Sequence, residues 1–208
     1  KESLFYGKLL SKFNVVSVRE QQGVQLIKNI YKWHVDVHQV LDPTMLLTAK
    51  DYIDIINKHH CKAIQKPYIL YYVLDENLNT TKISKEISDS LGLPMVKISL
   101  NEQEGTVDDR ILPSVEEWLS LFANADFILT DSFHGTVFSI IFNKPFYVVG
   151  NVKRGMARFN SLLSQFNIEN RLLISGVQKE KFIDWQIVNK NIETAREKSM
   201  AVFERINS

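Results

Sequence analysis

The sequence has a single cysteine, Cys61, among its 208 residues. One cysteine cannot form an intrachain disulfide, and a chain with so few thiols is expected in the cytoplasm. No apolar run approaches the roughly 20 residues that a helix needs to cross a bilayer, and the first residues given do not have the n-region or h-region expected of a secretory leader. Because the chain begins at Lys1 rather than at methionine, we expect it to be part of a longer protein.

An excess of charge of either sign is also missing. The 25 Lys and Arg residues nearly balance the 24 Asp and Glu residues, which leaves a formal net charge of +1. This balance argues against nucleic acid or a membrane surface as the main partner. Hydrophobic residues make up 45% of the chain, which is typical of a globular protein large enough to bury a core.

Apolar runs of strand length alternate with segments of helical periodicity along most of the chain. This order predicts an α/β fold: a Rossmann-like parallel sheet of about six strands with helices on both faces. We interpret residues 1–14 as a linker or an N-terminal helix, and residues 15–208 as one domain that includes a C-terminal helix. Strands are predicted at residues 15–18, 35–41, 68–74, 95–100, 127–130 and 145–149. Helices are predicted at residues 20–33, 51–60, 80–91, 115–124, 136–142, 159–166 and 187–206.

The most informative segment is a strand that ends at Thr130, followed by a polar turn and an apolar helix. Ligands of parallel sheets bind at the carboxyl ends of strands, and the start of a helix attracts phosphate or carboxylate. In the turn, Ser132 can donate a hydrogen bond and Gly135 can let an anion approach the backbone. His134 is the only histidine predicted at a strand-to-helix turn, and histidine is the residue type that most often transfers protons in enzymes.

A purely structural interpretation of the same turn is that Ser132 only caps the helix. The spacing between Ser132 and His134 is too short to indicate a nucleophile and its base, and no Gly-x-Ser-x-Gly elbow is present. The residues alone therefore leave both interpretations open.

Residues 130–146, TDSFHGTVFSIIFNKPF, closely resemble a conserved motif of the polysaccharide pyruvyl transferase family. Four further segments resemble family motifs in the right order, and the resemblance as a whole runs from about residue 15 to residue 173. They are SVRE at 17–20, DPT at 42–44, PSVEEWL at 113–119 and RFNSLL at 158–163.

The resemblance implies one half of a GT-B-like architecture, the donor-binding domain. It also implies transfer of a pyruvyl group from phosphoenolpyruvate to two hydroxyls of a sugar, in a capsular or exopolysaccharide precursor. Phosphoenolpyruvate is the donor substrate, no cofactor is expected, and the acceptor is a sugar or a lipid-linked oligosaccharide. The missing N-terminal domain would complete a site between domains, so the 208-residue chain is expected to show little activity alone. Peripheral membrane association of the full-length protein is compatible with such an acceptor.

The resemblance also suggests residue roles. His134 would be the general acid, Ser132 and Gly135 would contact the donor, and Arg19 and Arg158 would clamp its anionic groups. We expect the side chains of Arg19, Ser132, His134 and Arg158 to converge on one cleft.

One position departs from the family pattern. Many members carry a basic residue directly before the histidine, where this chain has Phe133. One anion contact is therefore absent or is supplied elsewhere, and Lys153 and Arg154 are the candidates.

Alternatives remain for the whole chain and for single residues. A GT-B glycosyltransferase would need an acidic ribose contact such as Glu102 or Glu104, and a non-catalytic binding half-domain is the other alternative. Arg19 can equally be a surface residue paired with Glu20. For Asp42 we favour a structural role, in which its side chain caps the turn at Pro43. We predict no metal site, because the adjacent residues of His59-His60-Cys61 are poorly spaced for joint ligation.

Overall fold

The computed structural model describes residues 2–30, 35–59, 61, 64, 66–98, 110–150, 155–173 and 182–205. The strands within these ranges are β1 (Val15–Val18), β2 (Asp36–Gln39), β3 (Ile69–Tyr72), β4 (Met95–Ile98), β5 (Arg110–Ile111), β6 (Phe127–Thr130), β7 (Phe146–Val149) and β8 (Leu172–Leu173). The α-helices are α1 (Glu2–Leu10), α2 (Gln21–Gln25), α3 (Ala49–Lys58), α4 (Leu78–Leu91), α5 (Val115–Asn124), α6 (Phe133–Ile141), α7 (Met156–Gln165) and α8 (Trp185–Glu204).

The chain divides into two compact units. The first unit combines Lys1–Leu46, Gly155–Ile168 and Asp184–Ser208, and the second combines Leu47–Arg154 and Glu169–Ile183. The assignment of residues 15–208 to one domain stays a prediction. Each unit is assembled from segments far apart in sequence, so no change in composition marks a boundary between them.

In the first unit, β1 and β2 form a two-stranded parallel sheet. The chain crosses between them through α2 and a π-helical turn, Leu26–Ile30. After β2, the backbone N–H of Leu41 donates to Ser199 Oγ on α8 over 2.9 Å, and Arg196 Nε donates to the Met45 carbonyl over 3.1 Å. These two bonds fasten α8 to the segment that follows β2.

The second unit contains a six-stranded sheet in which every pairing is parallel, in the order β5-β4-β3-β6-β7-β8. Counted along the sheet's own strands, this is the order 3-2-1-4-5-6 of a doubly wound nucleotide-binding fold. The strand order reverses between β3 and β6. The carboxyl ends of these two strands therefore flank the crevice where such sheets bind ligands.

Helices cover both faces of this sheet. On one face, Ile83 and Ile87 of α4 join a buried cluster with alternate residues of β3, β6 and β7. On the other face, the ring of Tyr72 lies 5.5 Å from that of Trp118 on α5, and Trp118 lies 5.0 Å from Phe138 on α6. Because β-strand side chains alternate between faces, each strand contributes to both layers.

The parallel α/β architecture with helices on both faces confirms the predicted fold class. The membership of the main sheet differs from the prediction, because β1 and β2 form a separate sheet while β5 and β8 complete the larger one. The strands β5 and β8 are two residues long, too short to show a periodicity. The helix predicted from residue 136 begins at Phe133, which places His134 and Gly135 in its first turn.

The predicted start of α5 can be tested at Ser114, which is the N-cap of this helix. Its side chain accepts from the backbone N–H of Glu117, and the Glu117 carboxylate accepts from the N–H of Ser114 at 2.9 Å. We expect Ser114→Ala to lower the free energy of unfolding by about 1 kcal/mol in urea denaturation, because the cap is lost. Ser90→Ala, an exposed serine inside α4, is the control and should change stability little. Equal effects of the two changes would contradict the assigned cap.

Candidate functional site

The candidate site is the turn from β6 into α6, which lies where the strand order of the main sheet reverses. The strand before this turn is fully buried, and α6 is buried along nearly its whole length. The turn is therefore held between two rigid elements of the core.

The hydroxyl of Thr130, the last residue of β6, joins three parts of this site. Thr130 Oγ1 donates to the carbonyl of Tyr72 in β3 over 2.6 Å, and it accepts from the backbone N–H of Ser132 over 3.0 Å. Thr130 is completely buried, so water does not compete with either bond. One hydroxyl thus adds a side-chain bond between β3 and β6 at the end of their paired segment, and it also fixes the start of the following turn.

Asp131 fixes the neighbouring loop. This buried carboxylate accepts from the backbone N–H of Leu74 over 2.6 Å and from that of Asp75 over 3.0 Å. Both donors lie directly after β3, on the other side of the strand-order reversal. A carboxylate that binds two backbone N–H groups replaces the water it loses on burial, and it makes the crevice wall rigid.

Ser132 is the N-cap of α6. Its Oγ accepts from the backbone N–H of Gly135 over 3.3 Å, and its carbonyl accepts from the Thr136 hydroxyl over 3.0 Å. This capping agrees with the structural interpretation of the turn. The role of Ser132 as a donor contact stays a prediction.

Gly135 packs directly against β3 and β6. A Cβ at this position would overlap Thr130 Oγ1 and would stand 3.1 Å from Cδ1 of Tyr72. Glycine is therefore required for the close approach of α6 to the sheet, the role of the third glycine in dinucleotide-binding turns. The predicted role of Gly135 in anion approach is not tested by this packing.

His134 and Phe133 in the first turn of α6 differ in exposure. His134 is exposed, whereas Phe133 is 7% exposed and lies in the core. Their rings meet edge to face with centroids 5.6 Å apart. The buried Phe133 thus supports the His134 ring and presents no group to an anion.

Arg19 lies in the first unit, directly after β1, and forms an ion pair with Asp42. Arg19 Nη1 lies 2.5 Å from Asp42 Oδ2, while Asp42 Oδ1 accepts from the N–H and the hydroxyl of Thr44. The Asp42 side chain is 4% exposed and that of Arg19 is 43% exposed. Asp42 therefore caps the turn at Pro43, as predicted, and also fixes one edge of a guanidinium that still reaches solvent.

Arg158 lies in the first turn of α7, also in the first unit, and its guanidinium carbon lies 5.6 Å from the Phe159 ring centroid. Ser132, His134 and Gly135 share one turn of the second unit, and their convergence with Arg19 and Arg158 stays a prediction. Lys153, Arg154, Glu102 and Glu104 lie outside the described residues.

Sequence reasoning missed Thr130 and Asp131 as the residues that shape the site. Their signal was present: two adjacent polar residues at the end of an apolar strand must find partners when they are buried.

Across the ranges that the structure describes, no group of three or more His, Cys, Asp and Glu residues could hold a metal ion. His59, part of the segment considered for metal binding, lies 3.7 Å from the Glu116 carboxylate. None of the helices in those ranges is long and apolar enough to cross a membrane.

Comparison with known proteins assigns the class. The model of the polysaccharide pyruvyl transferase family matches residues 2–153 of the chain. The chain therefore belongs to the polysaccharide pyruvyl transferase family, a family of transferases. No curated protein matched the chain.

Gly135→Ala tests the close packing of α6. We expect the free energy of unfolding to fall by about 1–3 kcal/mol, because the added methyl group overpacks the contact with Thr130. In a Thr130→Ala background the same change should cost less, since the overlapping hydroxyl is gone. Urea denaturation of the four proteins in this double-mutant cycle measures the coupling, and an absence of coupling would refute the contact.

Asp42→Asn tests the ion pair in the first unit. Asn keeps an oxygen for Thr44 but loses the charge that holds Arg19, so we expect about 1–3 kcal/mol less stability. The exposed pair of Lys50 and Asp54 provides the control, because Asp54→Asn should cost less than about 0.5 kcal/mol. Thermal or urea denaturation of both variants measures the two losses of stability. Equal losses would show that the buried position of Asp42 does not strengthen its ion pair.

Proposed function

We propose that this protein transfers the pyruvyl group of phosphoenolpyruvate to two hydroxyls of one sugar, forming a cyclic pyruvate ketal in a capsular or exopolysaccharide precursor. The observation that carries the proposal is the exposed His134 in the first helical turn after β6, beside the strand-order reversal. Family membership supports the transferred group, and the position of His134 supports its role.

The position suits an anionic donor. Parallel sheets bind ligands at such a reversal, and the start of α6 directs the positive end of its dipole into the crevice. The bonds of Thr130 and Asp131 fix the crevice wall before a ligand arrives. A preformed site of this kind loses less conformational entropy on binding.

His134 acts as the general acid in this proposal. A proton passes from its imidazolium to the methylene carbon of phosphoenolpyruvate, which leaves a methyl group and an oxocarbenium-like centre at C2. The first sugar hydroxyl attacks C2 and loses its proton, and the C2–O bond to phosphate breaks. The second hydroxyl then closes the ring at C2 and releases its own proton. The products are the pyruvate ketal and inorganic phosphate.

Cationic groups would stabilise the donor's phosphate and carboxylate. Arg19 and Arg158 are the proposed clamps, since a guanidinium binds either group with two parallel hydrogen bonds. The ion pair with Asp42 limits the rotamers that the Arg19 side chain samples. Because Phe133 offers no charge, the proposal assigns the remaining anion contact to Lys153 or Arg154.

Ligand binding separates this proposal from its two rivals. A thermal-shift comparison of phosphoenolpyruvate, phosphate and UDP uses the chain itself, because a ligand of the folded state raises its apparent stability. Stabilisation by phosphoenolpyruvate supports the donor assignment. Stabilisation by UDP alone supports a glycosyltransferase, and stabilisation by none of the three compounds supports a non-catalytic half-domain.

His134→Gln tests the acid directly in the full-length gene product. We expect transfer to fall by about 10²–10⁴-fold, because Gln keeps a polar side chain but cannot deliver a proton. Affinity for phosphoenolpyruvate should stay within several-fold of the original value. Acceptor-dependent release of phosphate and the NMR signal of the ketal methyl group measure the rate.

The exposed His59 provides the matched control, and His59→Gln should leave transfer unchanged. Arg158→Ala should instead weaken donor binding together with the rate, because it removes a contact present in the ground state. A His134→Gln protein that melts early yet transfers at the normal rate would refute the catalytic role and leave a structural one.

A further inference from the structure

The first unit contains an open cleft of about 540 Å³, formed by the end of β2, by the C-terminal half of α7 with the residues that follow it, and by α8. This volume lies within the range of small-molecule pockets, roughly 300–1,000 Å³. None of the site residues considered above lines it. The cleft is therefore a second candidate site, made by one unit alone.

Hydrogen bonds hold the three walls of the cleft together. The Leu41 N–H donates to Ser199 Oγ over 2.9 Å, which joins the end of β2 to α8. Gln39 Nε2 reaches Ser161 Oγ on α7 over 3.4 Å and the Arg19 carbonyl over 3.3 Å. The first bond is short and buried, whereas those of Gln39 are long, so a ligand hydroxyl can replace them at little cost.

Side-chain amides and hydroxyls dominate the lining. Five carboxamides face the cleft: Gln21, Gln39, Gln165, Asn167 and Asn191. Hydroxyl groups of Ser161, Ser164, Thr194 and Ser199 lie among them. Amides and hydroxyls both donate and accept hydrogen bonds, which is the combination that a sugar hydroxyl also presents.

The residues that are missing from the lining exclude other ligand classes. Of the described residues that line the cleft, none is acidic, so a divalent cation would lack the carboxylate ligands that offset its charge. Lys198 is the one cation among them, too few charges for a nucleotide's phosphates. The same lining holds no aromatic ring on which a base or an apolar ligand could stack.

We infer that this cleft binds an uncharged sugar residue through the carboxamides of α7 and α8. Asn191 and Thr194 lie three positions apart on α8 and therefore project from the same side of that helix toward the cleft. Binding here does not depend on pyruvyl transfer. If the proposed function holds, the ligand is a residue of the glycan substrate.

Saturation-transfer NMR on the chain with methyl glycosides of glucose, galactose and N-acetylglucosamine tests the site. We expect saturable binding of at least one glycoside with a Kd on the order of millimolar, a strength that a dozen or so ligand atoms can provide. The double variant Asn191→Ala/Thr194→Ala should weaken it about tenfold, because two side-chain hydrogen bonds are lost.

Asn189→Ala provides the control for the asparagine change, since it removes a carboxamide from the same helix at a residue outside the lining. Alanine favours helices, so these variants should fold, and circular dichroism checks this. The inference fails if no glycoside binds, if the control weakens binding as much as the double variant, or if phosphate or UDP competes with the glycoside. None of these substitutions changes His134. A loss of sugar binding in this cleft can therefore be distinguished from a failure of the chain to bind the donor.

Discussion

The hydroxyl of Thr130 is the constraint on which the candidate site depends. It is buried between two strands and uses its proton for the Tyr72 carbonyl and a lone pair for the Ser132 N–H. Gly135 is needed because any larger residue would occupy the space of that hydroxyl. The position of His134 follows, since it lies between the capping serine and the packed glycine in the same helical turn.

The two units contribute different chemistry. The second unit provides a rigid crevice at the reversal of a parallel sheet, with a histidine exposed at its edge and a buried carboxylate behind it. The first unit provides an arginine fixed by a buried aspartate, and a cleft lined by amides and hydroxyls. The features of the second unit are those that we propose for an anionic donor, and the cleft of the first unit is the one that we infer to bind a sugar.

The sequence predicted the elements whose pattern is long enough to read. The end of α4 at Leu91, the start of α5 at Val115 and the strand that ends at Thr130 all lie where they were predicted. Short edge strands and the assembly of distant segments into two units depend on tertiary contacts that leave no local pattern. The start of α6 was misplaced by three residues because His134 and Gly135 look like a loop, although burial of their neighbours favours a helix.

In the site, the exposed histidine and the capping serine could be found from residue types and from the family resemblance. The partner of Arg19 could not be decided from sequence, because Glu20 is adjacent whereas Asp42 lies 23 positions away. Such a long-range pair is created by the parallel pairing of β1 with β2, which brings the ends of the two strands together.

The central claim is that phosphoenolpyruvate binds beside His134, and the imidazole resonances of the chain report this most directly. The His134 signals, assigned by their loss in His134→Gln, should shift and saturate as phosphoenolpyruvate is added, while those of His59 stay unchanged. UDP at the same concentrations should leave the His134 signals in place. His134 signals that do not shift with phosphoenolpyruvate but do shift with UDP would contradict the claim that phosphoenolpyruvate binds beside His134.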